Sequence, residues 1–231
     1  MHNSESADKS NFRKIIKTED GSHTLYVPQL NENYHSTHGA IQEAEHIFIK
    51  EALAYAAKDR KCLNVLEIGF GTGLNAFLSL LFAKQNNLEV FYHGLEKYPV
   101  AKEEYSILNF AFEKKSAQVD FLNIHQVEWG RSIEVIEGFS LKKEQVDFRE
   151  MQLPSNYFDV VYFDAFGPDV QPDLWTEKVF QLIVDSMKKG AVMTTYSVKG
   201  AVRRAMKSVG FDVKKIPGPP GKREISRAIK V

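Results

Sequence analysis

The sequence predicts an α/β protein built on a mostly parallel sheet, and three observations support this prediction. Residues 65–74 read Val-Leu-Glu-Ile-Gly-Phe-Gly-Thr-Gly-Leu, which has the order of a buried strand, a glycine-rich turn and a helix start. Beyond Cys62, short apolar segments alternate with segments of helical spacing, as they do in sheets covered on both faces. Only the short link 217–222 separates the last two apolar segments, and so short a link favours an antiparallel pair.

The first sixty residues are predicted to be an addition to that core. Residues 1–10 are polar and are expected to form a disordered tail. Residues 11–30 indicate a β-hairpin with its turn at 19–21, and 33–39 form a polar loop. Residues 40–58 place apolar side chains at helical spacing. We therefore assign 11–60 to an N-terminal hairpin and helix, and 61–231 to the main domain.

The main domain is predicted element by element from its apolar runs and their spacing. The expected strands are 64–68, 90–95, 119–125, 157–163, 191–196, 211–216 and 224–231. The expected helices are 74–84, 99–112, 174–187 and 199–209. Between 129 and 150 we expect a short helix and an inserted hairpin.

Composition limits the class of protein. Of 231 residues, 43% are hydrophobic and 26% are charged, and no apolar run approaches the ~20 residues that span a bilayer. The polar N-terminus has no signal-peptide pattern. Cys62 is the single cysteine and is expected to be a small buried hydrophobe, and the seven histidines have no zinc spacing. We expect a cytoplasmic protein that is a monomer and binds neither metal nor membrane.

Charge is unevenly distributed, although the net charge is zero. Residues 186–231 contain eight Lys and four Arg against Asp212 and Glu224, a net +10, so the rest of the chain carries −10. A basic segment on an acidic body indicates either an anionic partner such as nucleic acid or a solvated lysine-rich surface.

The glycine-rich turn is the first candidate for chemistry. Gly69, Gly71 and Gly73 allow backbone angles closed to other residues and let a cofactor approach closely. The turn lacks the Lys-Ser/Thr pair of a phosphate-binding loop, and Glu67 ends the strand before it. A carboxylate attracts a cationic cofactor such as S-adenosylmethionine and repels a pyrophosphate. NAD stays open at this point, because Ala76 is tolerated at the third position of its fingerprint.

Acidic residues end several predicted strands, at the edge where ligands of such sheets bind. Glu67 and Glu96 end the first two, Asp147 with Phe148 precedes the fourth, and Asp164 ends the fourth. A carboxylate at the position of Glu96 can hold ribose hydroxyls, and Asp147 can take an adenine amino group beside Phe148. Beyond Asp164 there is no His or Tyr-x-x-x-Lys arrangement for hydride transfer, which favours S-adenosylmethionine over NAD.

Several separated motifs agree with one family. They are Tyr-His-Ser-Thr-His-Gly-Ala-Ile-Gln-Glu at 34–43, Glu-Ile-Gly-Phe-Gly-Thr-Gly-Leu-Asn at 67–75, Phe-Asp-Ala-Phe-Gly-Pro at 163–168 with Pro-Asp-Leu-Trp-Thr at 172–176, Val-Arg-Arg at 202–204, and Gly-Lys-Arg-Glu at 221–224. Together they resemble the tRNA 5-methylaminomethyl-2-thiouridine methyltransferase family, the methyltransferase half of MnmC-type enzymes. The resemblance implies the Rossmann-like class I fold of S-adenosylmethionine-dependent methyltransferases.

The resemblance also implies an activity and a site. The methyl of S-adenosylmethionine would pass to the amine of 5-aminomethyluridine at the wobble position of tRNA. The three turn glycines would border the methionine end of the cofactor, Glu96 would hold its ribose, and Asp147 with Phe148 its adenine. Asp164 would lie beside the transferred methyl. The splayed-out base would meet Tyr34, His35 and Phe166, and the phosphates of the anticodon region would meet the basic side chains Lys199, Arg203, Arg204, Lys207, Lys222 and Arg223.

Many family members carry a flavin-dependent oxidase domain that makes the aminomethyl group. This chain ends at Val231 directly after its last predicted strand, so no FAD is expected and a separate enzyme would supply the substrate. Two alternatives stay open. One is an aminopropyltransferase of the spermidine-synthase type, which shares the sheet and the acidic strand ends. The other is a non-catalytic RNA-binding module.

Overall fold

The computed structural model describes residues 13–111, 117–150 and 152–231, and these form two sheets. The smaller sheet is antiparallel and contains β1 (Lys14–Lys17), β2 (His23–Val27) and β3 (Glu32–Asn33). Its first two strands are the predicted hairpin, and residues 11 and 12 of that prediction lie outside the described residues, as does the predicted tail 1–10. Helix α1 follows in three consecutive segments, Ala40–Ala44, Glu45–Leu53 with π-type hydrogen bonds, and Ala54–Ala56.

The larger sheet has eight strands in the order β10-β11-β9-β8-β4-β5-β7-β6. Its strands are β4 (Cys62–Ile68), β5 (Glu89–Glu96), β6 (Ser132–Ile136), β7 (Phe139–Gln145), β8 (Phe158–Phe163), β9 (Met187–Thr195), β10 (Phe211–Pro217) and β11 (Glu224–Lys230). The five strands from β9 to β7 are parallel. An antiparallel hairpin closes each edge, and β11 lies between β9 and β10 as the short link predicts.

Helices connect these strands and cover both faces of the sheet. They are α2 (Leu74–Asn86), α3 (Lys102–Tyr105), α4 (Gln118–Gln126), α5 (Glu177–Ser186) and α6 (Gly200–Ser208), with short 3-10 turns at Phe148–Glu150 and Pro172–Leu174. Among the described residues no helix has the length and apolar character needed to cross a membrane.

Alternation along the central strands divides the core into two layers. Val65 and Tyr162 pack with α1, α2 and α4 on one face. Leu66 and Phe163 pack with α5 and α6 on the other. Both layers are necessary because a parallel strand in the middle of a sheet buries its side chains in both directions.

Three predictions are wrong in this region. Residues 119–125 form helix α4 rather than a strand, and the strand paired with β5 at that side of the sheet is β7. The predicted helix 99–112 is helical only at Lys102–Tyr105, and its last residue lies outside the described part. Cys62 is exposed because it begins β4 at the edge of the layer rather than within it. The expected inserted hairpin within 129–150 is confirmed as β6 and β7.

Helix α4 gives a stability prediction. Phe121 and Ile124 are fully buried at a spacing of three, whereas Val119 is 61% exposed. A strand would place 119 and 121 on the same face, but a helix does not. Phe121→Ala is therefore expected to lower the free energy of unfolding by about 3–5 kcal/mol, and Val119→Ala to change it by at most about 0.5 kcal/mol. Urea unfolding of both variants checks this, and equal losses would contradict the helical assignment.

Candidate active site

A cavity of about 540 Å³ opens at the carboxyl ends of the parallel strands, where ligands of doubly wound sheets bind. Its walls come from the loop after β3, the glycine-rich turn after β4, and the segments that follow β5, β7 and β8. Among the predicted site residues, its lining includes Tyr34, His35, Gly69, Gly71, Glu96, Asp147, Phe148, Asp164, Phe166 and Lys222. The structure thus brings together residues from all of these segments.

The glycine-rich turn requires glycine for reasons of space. Gly69 has φ +92°, and a Cβ there would lie 2.5 Å from the carbonyl oxygen of Asp164. Gly71 has φ +50°, and a Cβ there would meet the ring of Tyr34 at 3.0 Å. Gly73 does not line the cavity; a Cβ on it would meet His125 at 3.0 Å, so its freedom serves packing against α4.

Glu96, at the end of β5, is fixed by two backbone donors. Its Oε2 accepts from the N–H of Gly71 at 2.9 Å, and its Oε1 accepts from the N–H of Tyr98 at 2.8 Å. The carboxylate therefore holds the turn after β4 against the segment after β5. Each oxygen has a further lone pair, so the group can still accept hydrogen bonds from ligand hydroxyls.

Asp147 follows β7, next to the end of β5, and lies between two cations. Its Oδ2 is 2.6 Å from Arg149 and 3.0 Å from Lys97. Hydrogen bonds from Arg149 are the main reason that the pKa of this carboxyl lies well below its usual range. Arg149 also bonds to Asp173 at 3.1 Å, which links the segment after β7 to the segment after β8. Phe148, beside Asp147, is buried.

Asp164 and Glu67 are joined through one amide. Asn75, in the first turn of α2, donates from Nδ2 to Glu67 Oε1 and to Asp164 Oδ2, each at 2.8 Å. Burial raises the pKa of Asp164 to about 7, although the hydrogen bond from Asn75 opposes the shift. Burial also raises the pKa of Glu67. Asp164 lines the cavity, and its carboxyl titrates near neutral pH.

Glu67 does not lie where the sequence predicts. Its side chain is fully buried beneath the turn, where Oε2 accepts from the hydroxyl of Tyr92 at 2.8 Å. Because the strand alternates, position 67 faces the α2 layer rather than the cavity. A direct contact between Glu67 and the cofactor therefore does not fit its position, and Asn75 lies between Glu67 and the site.

The predicted base-contacting residues lie together on one wall. The rings of Tyr34 and Phe166 meet edge to face with centroids 5.2 Å apart. The guanidinium of Arg13 lies 5.5 Å from the centroid of the Tyr34 ring. His35 Nε2 lies 2.7 Å from Thr72 Oγ1, and burial lowers the pKa of this imidazole to about 4, so it is neutral at physiological pH.

Of the predicted basic residues, only Lys222 lines the cavity. Its Nζ is 2.7 Å from Glu43 Oε1 and 5.5 Å from the centroid of the Tyr196 ring. Lys199 pairs with Asp169, in the loop after β8 that also forms a cavity wall. Arg203, Arg204 and Lys207 lie on α6, and Arg223 is exposed in the link before β11. At least six of the twelve basic residues in 186–231 form ion pairs, which reduces the free positive charge of that segment.

Two site residues escape prediction as individual groups. Asn75 and Glu43 are the last residues of two of the motifs that resemble the family. Their residue types alone do not indicate a role in the site. Glu43 accepts from the N–H of Ser36 at 2.9 Å and pairs with Lys222, a residue far along the chain. Contacts at that separation leave no local pattern in the sequence.

The cavity has features that suit S-adenosylmethionine. The close approach at Gly69 and Gly71 removes side chains where a ligand must lie against backbone, and Glu96 offers acceptors for hydroxyl groups. The acidic lining at Glu96 and Asp164 suits a sulfonium cation. No group of three or more metal-binding side chains occurs within the described ranges.

Comparison with known sequences supports this assignment. A sequence profile for S-adenosyl-L-methionine-dependent methyltransferases matches residues 131–231. The tRNA 5-methylaminomethyl-2-thiouridine biosynthesis bifunctional protein MnmC of Cupriavidus metallidurans is 28% identical over 92% of this chain. The protein of the same name from Burkholderia multivorans is 30% identical over 87% of this chain. The chain spans about a third of the length of these relatives.

Solved structures agree. MnmC2 from Aquifex aeolicus superposes with a TM-score of 0.80 at 28% identity, over 96% of this chain and 71% of that one. Spermidine synthase from Thermotoga maritima has a TM-score of 0.55 at 15% identity, over 94% and 71%, which shows a shared fold alone. In fold, cavity and sequence profile the chain is similar to S-adenosyl-L-methionine-dependent methyltransferases. Within that class it resembles MnmC over most of its own length, which confirms the resemblance that its motifs predict.

The raised pKa of Asp164 predicts a pH dependence of stability. The unfolded chain releases this proton near pH 4 and the folded chain only near 7, so stability falls as pH rises through that window. Asp164→Asn removes this loss. The variant is expected to gain at least about 1 kcal/mol relative to the unmodified protein between pH 4.5 and 7.5, because one pKa unit corresponds to about 1.4 kcal/mol.

Urea unfolding at the two pH values measures this difference. Neighbouring Glu67, Glu43 and Lys222 are present in both proteins, so their own titration largely cancels in the comparison. Parallel stability curves for the two proteins would contradict a raised pKa at Asp164.

Proposed function

We propose that this chain transfers a methyl group from S-adenosylmethionine to the amine of 5-aminomethyl(-2-thio)uridine at the wobble position of tRNA. The observation that best supports this proposal is that Asp164, a carboxyl with its pKa near neutral, lines the same cavity as the glycine-rich turn and Glu96. The similarity to MnmC, whose name describes 5-methylaminomethyl-2-thiouridine biosynthesis, supports this acceptor.

Different residues of the cavity bind different parts of the cofactor in this proposal. In our proposal Gly69 and Gly71 admit the methionine end of the cofactor and Glu96 accepts from the ribose hydroxyls. Asp147 and Phe148, after the neighbouring strand β7, take the adenine. When bound, the cofactor supplies a methyl group activated by the positive sulfur. The remaining chemistry is to present an unprotonated amine in line with that methyl.

Asp164 carries the proton step. An alkyl ammonium is not a nucleophile, because its nitrogen lone pair holds a proton. Asp164 Oδ2 accepts from Asn75, and we assign the proton transfer to its carboxyl group, with Oδ1 facing the amine. A carboxyl that titrates near pH 7 is well suited to take a proton and then release it to water.

The tRNA would approach the wall that holds Tyr34 and Phe166. Sequence-specific RNA recognition usually needs an unstacked base, and the paired rings of Tyr34 and Phe166 offer apolar surface for one. Lys199, which pairs with Asp169 in the loop after β8, and the exposed Arg204 and Lys207 of α6 are the basic groups that we propose for backbone phosphates. In this proposal the chain acts in the cytoplasm as a monomer without FAD or metal, and a separate enzyme provides the aminomethyl group.

Nucleoside mass spectrometry tests the proposed acceptor. The protein is incubated with S-adenosylmethionine and tRNA that carries 5-aminomethyluridine, and the expected product is that nucleoside heavier by one methyl group. Matched tRNA with unmodified uridine is the control and should gain nothing. An unchanged mass on the aminomethyl nucleoside would refute the proposal, and turnover of free putrescine with decarboxylated S-adenosylmethionine would instead favour aminopropyl transfer.

Asp164→Ala tests the role of the carboxyl. Because Asp164 acts in our proposal on the amine, the variant is expected to lose about 10²–10⁴-fold in turnover when S-adenosylmethionine is saturating. The nucleoside assay at increasing cofactor concentration measures this turnover. Turnover close to that of the unmodified protein would exclude the proton-transfer role.

A further inference from the structure

Asn75 has a polar atom that its protein neighbours leave without a partner. The residue is 2% exposed and lines the cavity. Its Oδ1 is buried and accepts no hydrogen bond from the part of the chain that the structure describes. A buried carbonyl oxygen without a donor is unfavourable, so such an atom at a binding site calls for a ligand that satisfies it.

The structure uses the donors of this amide fully. Both hydrogens of Nδ2 are used, one by Glu67 and one by Asp164, each at 2.8 Å. Oδ1 is therefore the one polar atom of the Asn75 side chain that remains for a ligand.

The groups that converge here are acceptors. Asn75 Oδ1 contributes a carbonyl oxygen and Asp164 contributes a carboxyl, while the Glu67 carboxyl lies behind the amide. A ligand group matched to that set carries several N–H donors and a positive charge, and a primary ammonium has both.

We propose that Asn75 Oδ1 and Asp164 together bind a primary ammonium group, with Asn75 accepting one of its N–H bonds directly. Two molecules can supply this group: the α-amino end of the cofactor and the aminomethyl group of the acceptor nucleoside. The second source rests on the proposed function, and the first does not.

Two pairs of probes separate these sources. S-adenosylhomocysteine carries the ammonium, and 5′-methylthioadenosine lacks the amino-acid end. An anticodon stem-loop with 5-aminomethyluridine carries the other ammonium, and the same stem-loop with 5-methyluridine lacks it; both are measured with saturating S-adenosylhomocysteine. Isothermal titration gives the ratio of dissociation constants within each pair.

Asn75→Ala is expected to reduce the preference for the ammonium-bearing member by about tenfold or more in one pair, and that pair identifies the source. Ser79→Ala, one turn further along α2 and bonded to Tyr162 at 3.0 Å, is the control and should change neither ratio. Asn75→Ser serves in place of the alanine variant if thermal melting shows that the latter is unfolded. Unchanged ratios in both pairs would overturn the inference.

A double variant separates direct contact from support of Asp164. If Oδ1 touches the ammonium, Asn75→Ala reduces the preference again in an Asp164→Ala background. No further loss in that background would show that Asn75 acts only through Asp164 and would overturn the direct contact. Failure of the nucleoside assay would refute the proposed acceptor, and the comparison of the two small ligands would then decide the role of Asn75 alone.

Discussion

The amide of Asn75, shared between two buried carboxyl groups, connects the parts on which the cavity depends. Glu67 ends β4, Asp164 follows β8, and Asn75 belongs to the first turn of α2. The segments after β4 and β8 meet again where the backbone of Gly69 passes so close to Asp164 that no side chain fits. Burying carboxyl groups is costly, and one amide offsets only part of that cost, which is why both groups hold their protons more tightly than usual. The strain of this arrangement lies at the site rather than in the two apolar layers.

Much of the fold follows from the sequence because parallel strands buried on both faces are short apolar runs that stand out from the helices around them. Residues 119–125 and strand β7 show the limit of that rule. In 119–125 the apolar residues are too few to distinguish a helix from a strand, and the burial of Phe121 decides the matter only in three dimensions. In β7 the charged residues break the apolar pattern by which a buried strand is recognised in a sequence. Lys143 is almost wholly buried there, with Nζ bonded to the carbonyl of His125 at 2.7 Å and 4.8 Å from the centroid of the Trp129 ring.

The candidate site divides in a similar way. Acidic residues at strand ends are visible in a sequence, and the structure brings Glu96, Asp147 and Asp164 to one cavity. Which way each side chain faces depends on strand register, and this is why Glu67 lies under the turn instead of in the lining. The ion pairs between Lys222 and Glu43 and between Arg149 and Asp173 join segments that no local pattern relates. The sequence therefore indicates which strand ends carry acidic groups, but it does not indicate which way each side chain faces or which long-range ion pairs form.

The walls of the cavity are drawn from residues 32 to 222, so they exist together only when nearly all of the described chain is in place. A ligand that bridges such walls has little affinity for a partly unfolded chain. Its binding free energy is then added to global unfolding, by RT ln(1 + [L]/Kd), rather than to the opening of a single loop. In a cell, a high concentration of methyl donor would thus stabilise this fold. At a low concentration the chain would unfold more often and be cleaved by proteases more often.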